Sequence, residues 1–237
     1  MNVVIPASGA GRRFKEAGYK DPKPLIDVMG KPMVQRVLES VVPGGSARVV
    51  VVVPSGFPDI PGPAHEVLEL DRVTDGAART VLLAIHGKQL DPDAPLLVSN
   101  SDQLLDFRVL DFLAEVKDHD GGIVVFPCPD KNPKWSFAQI KDEQVRRVAE
   151  KLPISTWATA GVYWWARTAD FMRSATEMIC RDERTNDEFY VAPTFNEMIR
   201  RGLMVSPYFI KESEMHGLGT PEDLGAYLEL MKAGGRK

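Results

Sequence analysis

The sequence contains few cysteines, no long apolar segment and no excess of basic residues. Only Cys128 and Cys180 occur among 237 residues, which is too few for a disulfide framework and does not match metal-ligand spacing. The longest apolar run, residues 49–54, is far shorter than the roughly 18 residues that a membrane-spanning helix requires. No export signal is apparent at the N-terminus. These absences predict a cytoplasmic protein that is not embedded in a membrane.

The net charge and the composition exclude further classes of protein. The 29 basic and 33 acidic side chains give a net charge of −4, which argues against broad nucleic-acid binding as the main activity. Hydrophobic residues make up 44% of the chain and charged residues 26%, as in ordinary globular proteins. We therefore expect an ordinary folded protein whose main activity is not nucleic-acid binding.

Short β-branched runs alternate with helical patterns over residues 1–126. Continuous apolar runs of this length are typical of strands buried on both faces. The runs are residues 3–6, 49–53, 96–98 and 123–126. Helical spacing follows Pro32, follows a cap at Thr74 or Asp75, and recurs from Val109. The pattern predicts an α/β fold, a three-layer α/β/α sandwich around a mixed, mostly parallel sheet.

The pattern changes after Pro127. Two runs, 137–140 and 145–148, flank a turn and predict a hairpin. Further strands are expected at 159–165 and 204–210, with helices capped by Thr168 and by Thr220. We predict one domain over residues 1–237, divided into parts 1–126 and 127–237, with a frayed tail at 233–237.

A glycine-rich turn with positive charge follows the first strand. The turn, ASGAG, begins like a dinucleotide fingerprint, but Phe14 stands where the third glycine belongs, and no P-loop G-K-[ST] is present. It could be a phosphate cradle or only a tight turn. Residues 12–31 contain six basic and three acidic side chains, and this local charge favours polyphosphate binding. Within them Lys23 lies between two prolines that restrict its backbone.

Asp102 follows the third predicted strand, at the edge where open α/β sheets place ligands. A carboxylate there could bind Mg²⁺ together with phosphate oxygens, or it could cap the following turn. The four histidines are scattered and have no metal-like spacing. Glu150 and Lys151 follow a strand in the second part and are, by themselves, ordinary surface charges.

Together these residues resemble the GT-A-like nucleotidyltransferases, the sugar-1-phosphate nucleotidylyltransferase superfamily. The segment VVIPASGAGRRFKEAGYKDPKPLIDVMGKPM is similar to that family's G-x-G-x-R-F…PKPL region, and weaker matches follow in family order across nearly the whole chain. The weaker matches are at residues 75–78, 102, 150–151, 160–163 and 219–223. EKLPIS, ATAGVYWW, NDEFYVAPTFNEMI and HGLGTPEDL resemble a small bacterial branch linked to capsule and surface-polysaccharide synthesis, which includes a phosphoglutamine cytidylyltransferase.

The resemblance implies a GT-A-like fold with a Rossmann-like half, and a role for each matching position. Residues 1–126 would form a nucleotide-binding lobe and residues 127–237 an acceptor-binding lobe. Arg13, Lys23 and Lys151 would act on the phosphates, and Asp102 would hold Mg²⁺. The implied nucleotide contacts are Ala7, Gly9, Ala10, Gly11, Arg12, Gly76, Ala77 and Asn100, and the implied acceptor contacts are Glu150, Gly161 and Glu188.

One departure affects the metal site. Many relatives have a second metal-binding Asp two residues before the Gly-Thr pair near the end, where this chain has Gly217. Asp106, Asp187 and Glu188 are candidates to replace it.

The implied reaction is transfer of NMP from an NTP, with CTP preferred, to a phosphorylated small-molecule acceptor, with release of pyrophosphate. Three alternatives stay open: a sugar-1-phosphate uridylyl- or thymidylyltransferase, a GT-A glycosyltransferase, and an inactive nucleotide-binding regulatory domain. Asn100 stands where the metal motif D-x-D of a glycosyltransferase would begin. Trp157, Trp164 and Trp165 could belong to the core or to a homodimer interface.

Overall fold

A computed structural model describes residues 1–234 of the chain. The strands and helices in chain order are β1 (Asn2–Pro6), α1 (Arg12–Glu16), α2 (Met33–Val41), β2 (Arg48–Pro54), β3 (Glu66–Leu70), α3 (Ala77–Gly87), β4 (Leu96–Ser99), β5 (Gln103–Leu105), α4 (Val109–Val116), β6 (Gly121–Pro127), β7 (Ser136–Lys141), β8 (Gln144–Glu150), β9 (Trp157–Trp165), α5 (Thr168–Cys180), α6 (Phe195–Arg200), β10 (Val205–Phe209), β11 (Met215–Gly217) and α7 (Pro221–Gly234). Short 3-10 turns lie at Lys23–Leu25, Ala192–Thr194 and Glu212–Glu214.

The central sheet is mixed and mostly parallel, as the sequence predicts. Its strand order is β10-β6-β9-β4-β1-β2-β3, and the β7–β8 hairpin joins at β9. Strand β1 runs parallel to β2 and β4, β2 parallel to β3, and β6 parallel to β10. Strand β9 is antiparallel to both of its neighbours, β4 and β6. A strand from the second part of the chain therefore lies between two strands of the first.

Helices cover both faces of the sheet because successive strand side chains point to opposite sides. In β1, Val3 and Ile5 pack into a core with α2, α4 and α7, whereas Val4 packs into a second core with α3, α5 and α6. All three side chains are fully buried. Burying one such side chain stabilises the fold by about 1.5–3 kcal/mol, which explains why the strands are continuous apolar runs.

Two predicted helix caps are wrong, and a third is confirmed. Gly76 is the N-cap of α3 without a side-chain cap, while Thr74 donates its hydroxyl to the Gly76 carbonyl. Thr168 is the first residue of α5, and its hydroxyl donates to Ala94 O instead of capping the helix. Thr220 does cap α7, because its Oγ1 accepts a hydrogen bond from Asp223 N at 3.1 Å.

The C-terminal tail differs from the expectation in part. Helix α7 continues through Gly234, so residues 233 and 234 are helical, and residues 235–237 lie outside the described residues. Trp164 and Trp165 are buried in the core. Within residues 1–234, no helix is both long enough and apolar enough to cross a membrane.

The topology brings several loops to one edge of the sheet. The carboxyl ends of the parallel strands β1 and β4 meet there, and the segments that follow them are residues 7–11 and 100–102. A two-stranded antiparallel ribbon, β5 with β11, closes the same edge through the pairing of Gln103 with Gly217. Open α/β sheets place ligands at this edge.

Candidate functional site

A cleft of about 500 Å³ opens at the carboxyl end of β1. Its wall includes nearly every position that the sequence assigned to the nucleotide. The predicted residues that line it are Ala7, Gly9, Ala10, Gly11, Arg12, Arg13, Lys23, Gly76, Ala77, Asn100, Asp102 and Glu188.

The glycine turn brings the backbone close to Lys23. Gly11 has φ of +59°, and a Cβ placed there would lie 3.2 Å from the Lys23 Cβ. A larger residue would be strained in this conformation and crowded by Lys23. Ala7 lines the cleft, but its N–H donates to the Val52 carbonyl at 2.8 Å. Ala7 therefore shapes the wall and does not offer its amide to a phosphate.

An ion pair joins Lys23 of the N-terminal motif to the strand-end Asp102. The Lys23 Nζ donates to the Asp102 Oδ2 at 2.6 Å, and both side chains are partly exposed. The 3-10 turn at Lys23–Leu25 fixes the lysine. The Asp102 carbonyl accepts a hydrogen bond from Leu218 N at 2.8 Å, which holds the aspartate against the β5–β11 ribbon.

A second cleft of about 470 Å³ adjoins the first. The two share Lys23, Asp102, Asn100, Arg13 and Glu188 among their lining residues. They therefore form one groove with the Lys23–Asp102 pair at its junction. Glu150 and Lys151, the predicted acceptor contacts after β8, line only the second cleft.

Lys151 has a constrained position in this second cleft. Its φ is +53°, uncommon for a residue other than glycine. Its backbone N–H donates to the Trp135 carbonyl at 3.0 Å, and its Nζ donates to the Tyr190 hydroxyl at 2.6 Å. Both hydrogen bonds direct the ammonium group toward the groove.

The neighbouring Glu150 is a partly buried carboxylate. Its side chain accepts a hydrogen bond from the Ser136 hydroxyl. Burial raises the pKa of Glu150, and Glu188 adds to the rise, while Ser136 and Lys151 oppose it. A carboxylate in this setting costs free energy to ionise unless a ligand supplies a donor or a cation.

Gly76 packs against the backbone of Phe189. Phe189 N donates to Asp75 O at 2.8 Å, and Phe189 O accepts from Ala78 N at 3.0 Å, so hydrogen bonds form on both sides of Gly76. A Cβ at Gly76 would lie 2.3 Å from Phe189 O, and φ is +133°. Only glycine allows this close approach.

Among the residues to which the resemblance assigns a contact with phosphate, nucleotide, acceptor or Mg²⁺, Gly161 alone lines neither cleft. A Cβ there would lie 1.6 Å from the Oε1 of Gln103, which itself lines the second cleft. Its carbonyl accepts a hydrogen bond from Asn100 N at 2.8 Å. Its place is thus behind Gln103 and Asn100, and any effect on an acceptor would pass through them.

The carboxylate that faces position 217 belongs to Asp223. A Cβ at Gly217 would lie 3.8 Å from Asp223 Oδ2, and Asp223 lines the second cleft together with Asp102. Among the candidates from sequence, Asp106 pairs with His216 and is 70% exposed, and it lines neither cleft. Asp187 also lines neither, whereas Glu188 lines both. Residues 1–234 contain no cluster of three or more His, Cys, Asp or Glu side chains that could hold a metal ion.

Comparison with protein families identifies the family of the chain. The model of the MobA-like NTP transferase domain matches residues 3–172, which is more than half of the chain. The chain belongs to this family. Its enzyme class, nucleotidyltransferase, follows from that membership.

Individual relatives agree with the family at low identity. Mannose-1-phosphate guanylyltransferase catalytic subunit beta of Dictyostelium discoideum is 27% identical over 69% of this chain and 49% of the relative. The chain thus spans about half the length of that relative. The 3-deoxy-manno-octulosonate cytidylyltransferase of Geotalea uraniireducens is 25% identical over 98% of this chain and 99% of the relative.

A solved structure matches the whole fold. The nucleoside-diphosphate-sugar pyrophosphorylase from Vibrio cholerae RC9 superposes with a TM-score of 0.84 at 26% identity, covering 96% of this chain and 99% of that one. The α/β class predicted from the sequence is therefore confirmed.

Sequence reasoning missed several residues of the groove. They come from separate loops, strands and a helix, and the weak motif matches at 160–163 and 219–223 do not show which of their side chains reach a cleft. These residues include Gln103, Lys134, Trp135, Ser136, Tyr163, Tyr190 and Asp223. The aromatic residue after Glu188-Phe189 and the acidic first turn after the Thr220 cap were the available signals, but neither specifies a cleft.

Proposed function

We propose that the chain transfers a nucleoside monophosphate from an NTP to a phosphorylated small-molecule acceptor and releases pyrophosphate. The observation that carries the proposal is the continuous groove with Lys23 and Asp102 at its junction. The first cleft offers the glycine turn and Arg13 to a triphosphate, and the second offers Lys151 to an acceptor phosphate. The reaction joins two anions, so the two clefts have to meet at a point that carries charged side chains such as Lys23 and Asp102.

The chemistry asks the protein to align and neutralise charge. An oxygen of the acceptor phosphate attacks the α-phosphorus in line, a new P–O–P bond forms, and the bond to the β-phosphate oxygen breaks as pyrophosphate leaves. A phosphate dianion is already a nucleophile at neutral pH, so no side chain has to remove a proton. Arg13 would hold the β- and γ-phosphates of the NTP, Lys23 the phosphates at the reacting centre, and Lys151 the acceptor phosphate. Together they would offset the repulsion between the two substrates.

The donor set suits Mg²⁺, which prefers one or two carboxylates plus phosphate oxygens. Asp102 and Asp223 both face the second cleft, and we propose that they hold the ion, with Asp223 taking the place that Gly217 leaves. A bound Mg²⁺ would neutralise phosphate charge during transfer. In the structure each carboxylate is balanced by a lysine, Asp102 by Lys23 at 2.6 Å and Asp223 by Lys134 at 2.8 Å.

We propose CTP as the nucleotide and the cytoplasm as the place of reaction. The resemblance to the surface-polysaccharide branch supports CTP, as does the full-length similarity to a cytidylyltransferase. The similarity to a guanylyltransferase makes GTP the competitor to test. The same branch resemblance supports a role in making surface-polysaccharide precursors.

The test is a pyrophosphate-release screen with Mg²⁺. Four NTPs and dTTP are crossed with sugar-1-phosphates, phosphocholine, phosphorylated amino compounds and phosphonates. Release that requires both an NTP and a phosphorylated acceptor, fastest with CTP, is expected. Release of a nucleoside diphosphate from a nucleotide sugar would instead identify a glycosyltransferase. Nucleotide binding without turnover across the panel would count against catalysis and favour the regulatory domain.

A further inference from the structure

Residues 184–190 form a strap that crosses from one cleft to the other. Glu188 and Tyr190 line both clefts. At its tip, Thr185 and Glu188 exchange two backbone hydrogen bonds of 3.0 Å around Asn186 and Asp187. Both tip residues have positive φ, 48° and 61°, as in a tight two-residue turn.

The strap is fixed at the start of α3. Phe189 is fully buried, and its backbone makes the two hydrogen bonds that bracket Gly76. The guanidinium groups of Arg184 and Arg79 lie 4.1 and 5.4 Å from the centre of the Phe189 ring. Both arginines also pair with Asp75, at 3.2 and 2.9 Å. Backbone, aromatic and ionic contacts together hold this end rigidly.

Tyr190, the last residue of the strap, meets Lys151. The tyrosine hydroxyl accepts a hydrogen bond of 2.6 Å from Lys151 Nζ, which lies 4.7 Å from the centre of the tyrosine ring. An ammonium group has three donors, so two remain for a phosphate after one is given to Tyr190. Burial and the nearby Glu188 raise the pKa of Tyr190, so the phenol stays neutral and can accept this hydrogen bond over the whole physiological range.

We propose that Tyr190 is a positioning residue that aims the Lys151 ammonium at the acceptor phosphate, and that the strap fixes this aim relative to the nucleotide cleft through Phe189 and Gly76. The proposal rests on the proposed function for its catalytic meaning. Its physical content, that the phenol holds the ammonium, does not depend on which acceptor is used. Fixing a lysine side chain costs rotamer entropy. Because Tyr190 already holds the Lys151 side chain, acceptor binding has to meet less of that cost.

The kinetic test compares Tyr190→Phe with the wild type. The acceptor KM is expected to rise about tenfold, the net worth of one hydrogen bond to a charged group, while the NTP KM changes little. In a Lys151→Met background, Tyr190→Phe should have almost no further effect, because residues that act through one contact are not additive. Tyr208→Phe, on β10, is the matched control and should behave as wild type.

A second measurement needs no acceptor. Acetylation of Lys151 by limiting acetic anhydride, followed by mass spectrometry, should be several-fold faster in Tyr190→Phe than in wild type, while Lys31 reacts equally in both. Equal labelling of Lys151, additive effects in the double variant, or equal rises in both KM values would overturn the proposal. If labelling changes as expected but no acceptor supports turnover, the proposed function fails and the contact between Tyr190 and Lys151 stands.

Discussion

Lys23 and Asp102 form a 2.6 Å ion pair although 79 residues separate them in the chain. The lysine lies in the 3-10 turn Lys23–Leu25 beyond α1, and the aspartate follows β4, the parallel neighbour of β1 in the sheet. The pair stands where the two clefts meet, so each member contacts the place where both substrates would react.

Removing either member should abolish most of the transfer activity without unfolding the protein. Lys23→Ala and Asp102→Ala are each expected to lower turnover by about 10²-fold or more, the usual cost of one charge contact to a reacting phosphate. Initial rates of pyrophosphate release at saturating Mg²⁺ measure the effect, and circular dichroism checks the fold. Lys31→Ala is the control, since its ammonium pairs with Glu39 on the surface. Turnover near that of the wild type in either variant would contradict the assignment.

Asp223 should control the affinity for the divalent cation. We expect Asp223→Asn to raise the Mg²⁺ concentration needed for half-maximal activity about tenfold, as for other metal-site changes. Direct Mn²⁺ binding, followed by electron paramagnetic resonance, should weaken in parallel. Asp111→Asn is the matched control, because Asp111 is an exposed residue of α4 that pairs with Arg108. Unchanged metal binding in Asp223→Asn would remove Asp223 from the site.

Gly76 should not tolerate a side chain. In Gly76→Ala the new Cβ would lie 2.3 Å from the Phe189 backbone. Either the strap moves away or the backbone at residue 76 is strained. A lower urea midpoint and weaker nucleotide binding are expected together. Gly225→Ala, in the exposed interior of α7 with open space around it, should instead stabilise the protein by up to about 1 kcal/mol. Equal midpoints for wild type and Gly76→Ala would show that the strap does not need this contact.

Glu150 should make stability depend on pH. Its folded-state pKa is raised by burial, so the folded protein binds this proton more tightly than the unfolded chain does. The stability it contributes is present in acid and is lost as pH rises through the raised pKa. Glu150→Gln should therefore be as stable as wild type or more so near pH 7.5, with the wild type recovering relative to it toward about pH 5.

Thermal melts of both proteins across that range measure the difference, and Glu115→Gln, on the exposed side of α4, should show none. If the stability of Glu150→Gln relative to the wild type increased as the pH is lowered, the result would contradict the burial of the Glu150 carboxylate.

The sequence by itself predicted the α/β class and many of the residues that line the first cleft. Strands such as Val3–Ile5 are buried on both faces, and this leaves a continuous apolar run that can be recognised without a structure. The glycine turn, Lys23 and Asp102 are likewise local signals: a turn that needs glycine, a lysine stiffened by prolines, and a carboxylate at a strand end. Strand β3 was not predicted because EVLEL is a short, partly exposed segment at the edge of the sheet in which two charged residues interrupt the apolar run.

Only the tertiary structure decided which residues line the second cleft. Tyr190, Asp223 and Gln103 reach it from three separate parts of the chain, and the weak family motifs around them do not show that their side chains share a cleft. Gly161 carries a family motif, yet it supports Gln103 from behind instead of lining the cleft. Local sequence specifies what a turn or a strand end can do. Which side chains share one cleft depends on long-range packing, because a strand from the second part of the chain is inserted between two strands of the first.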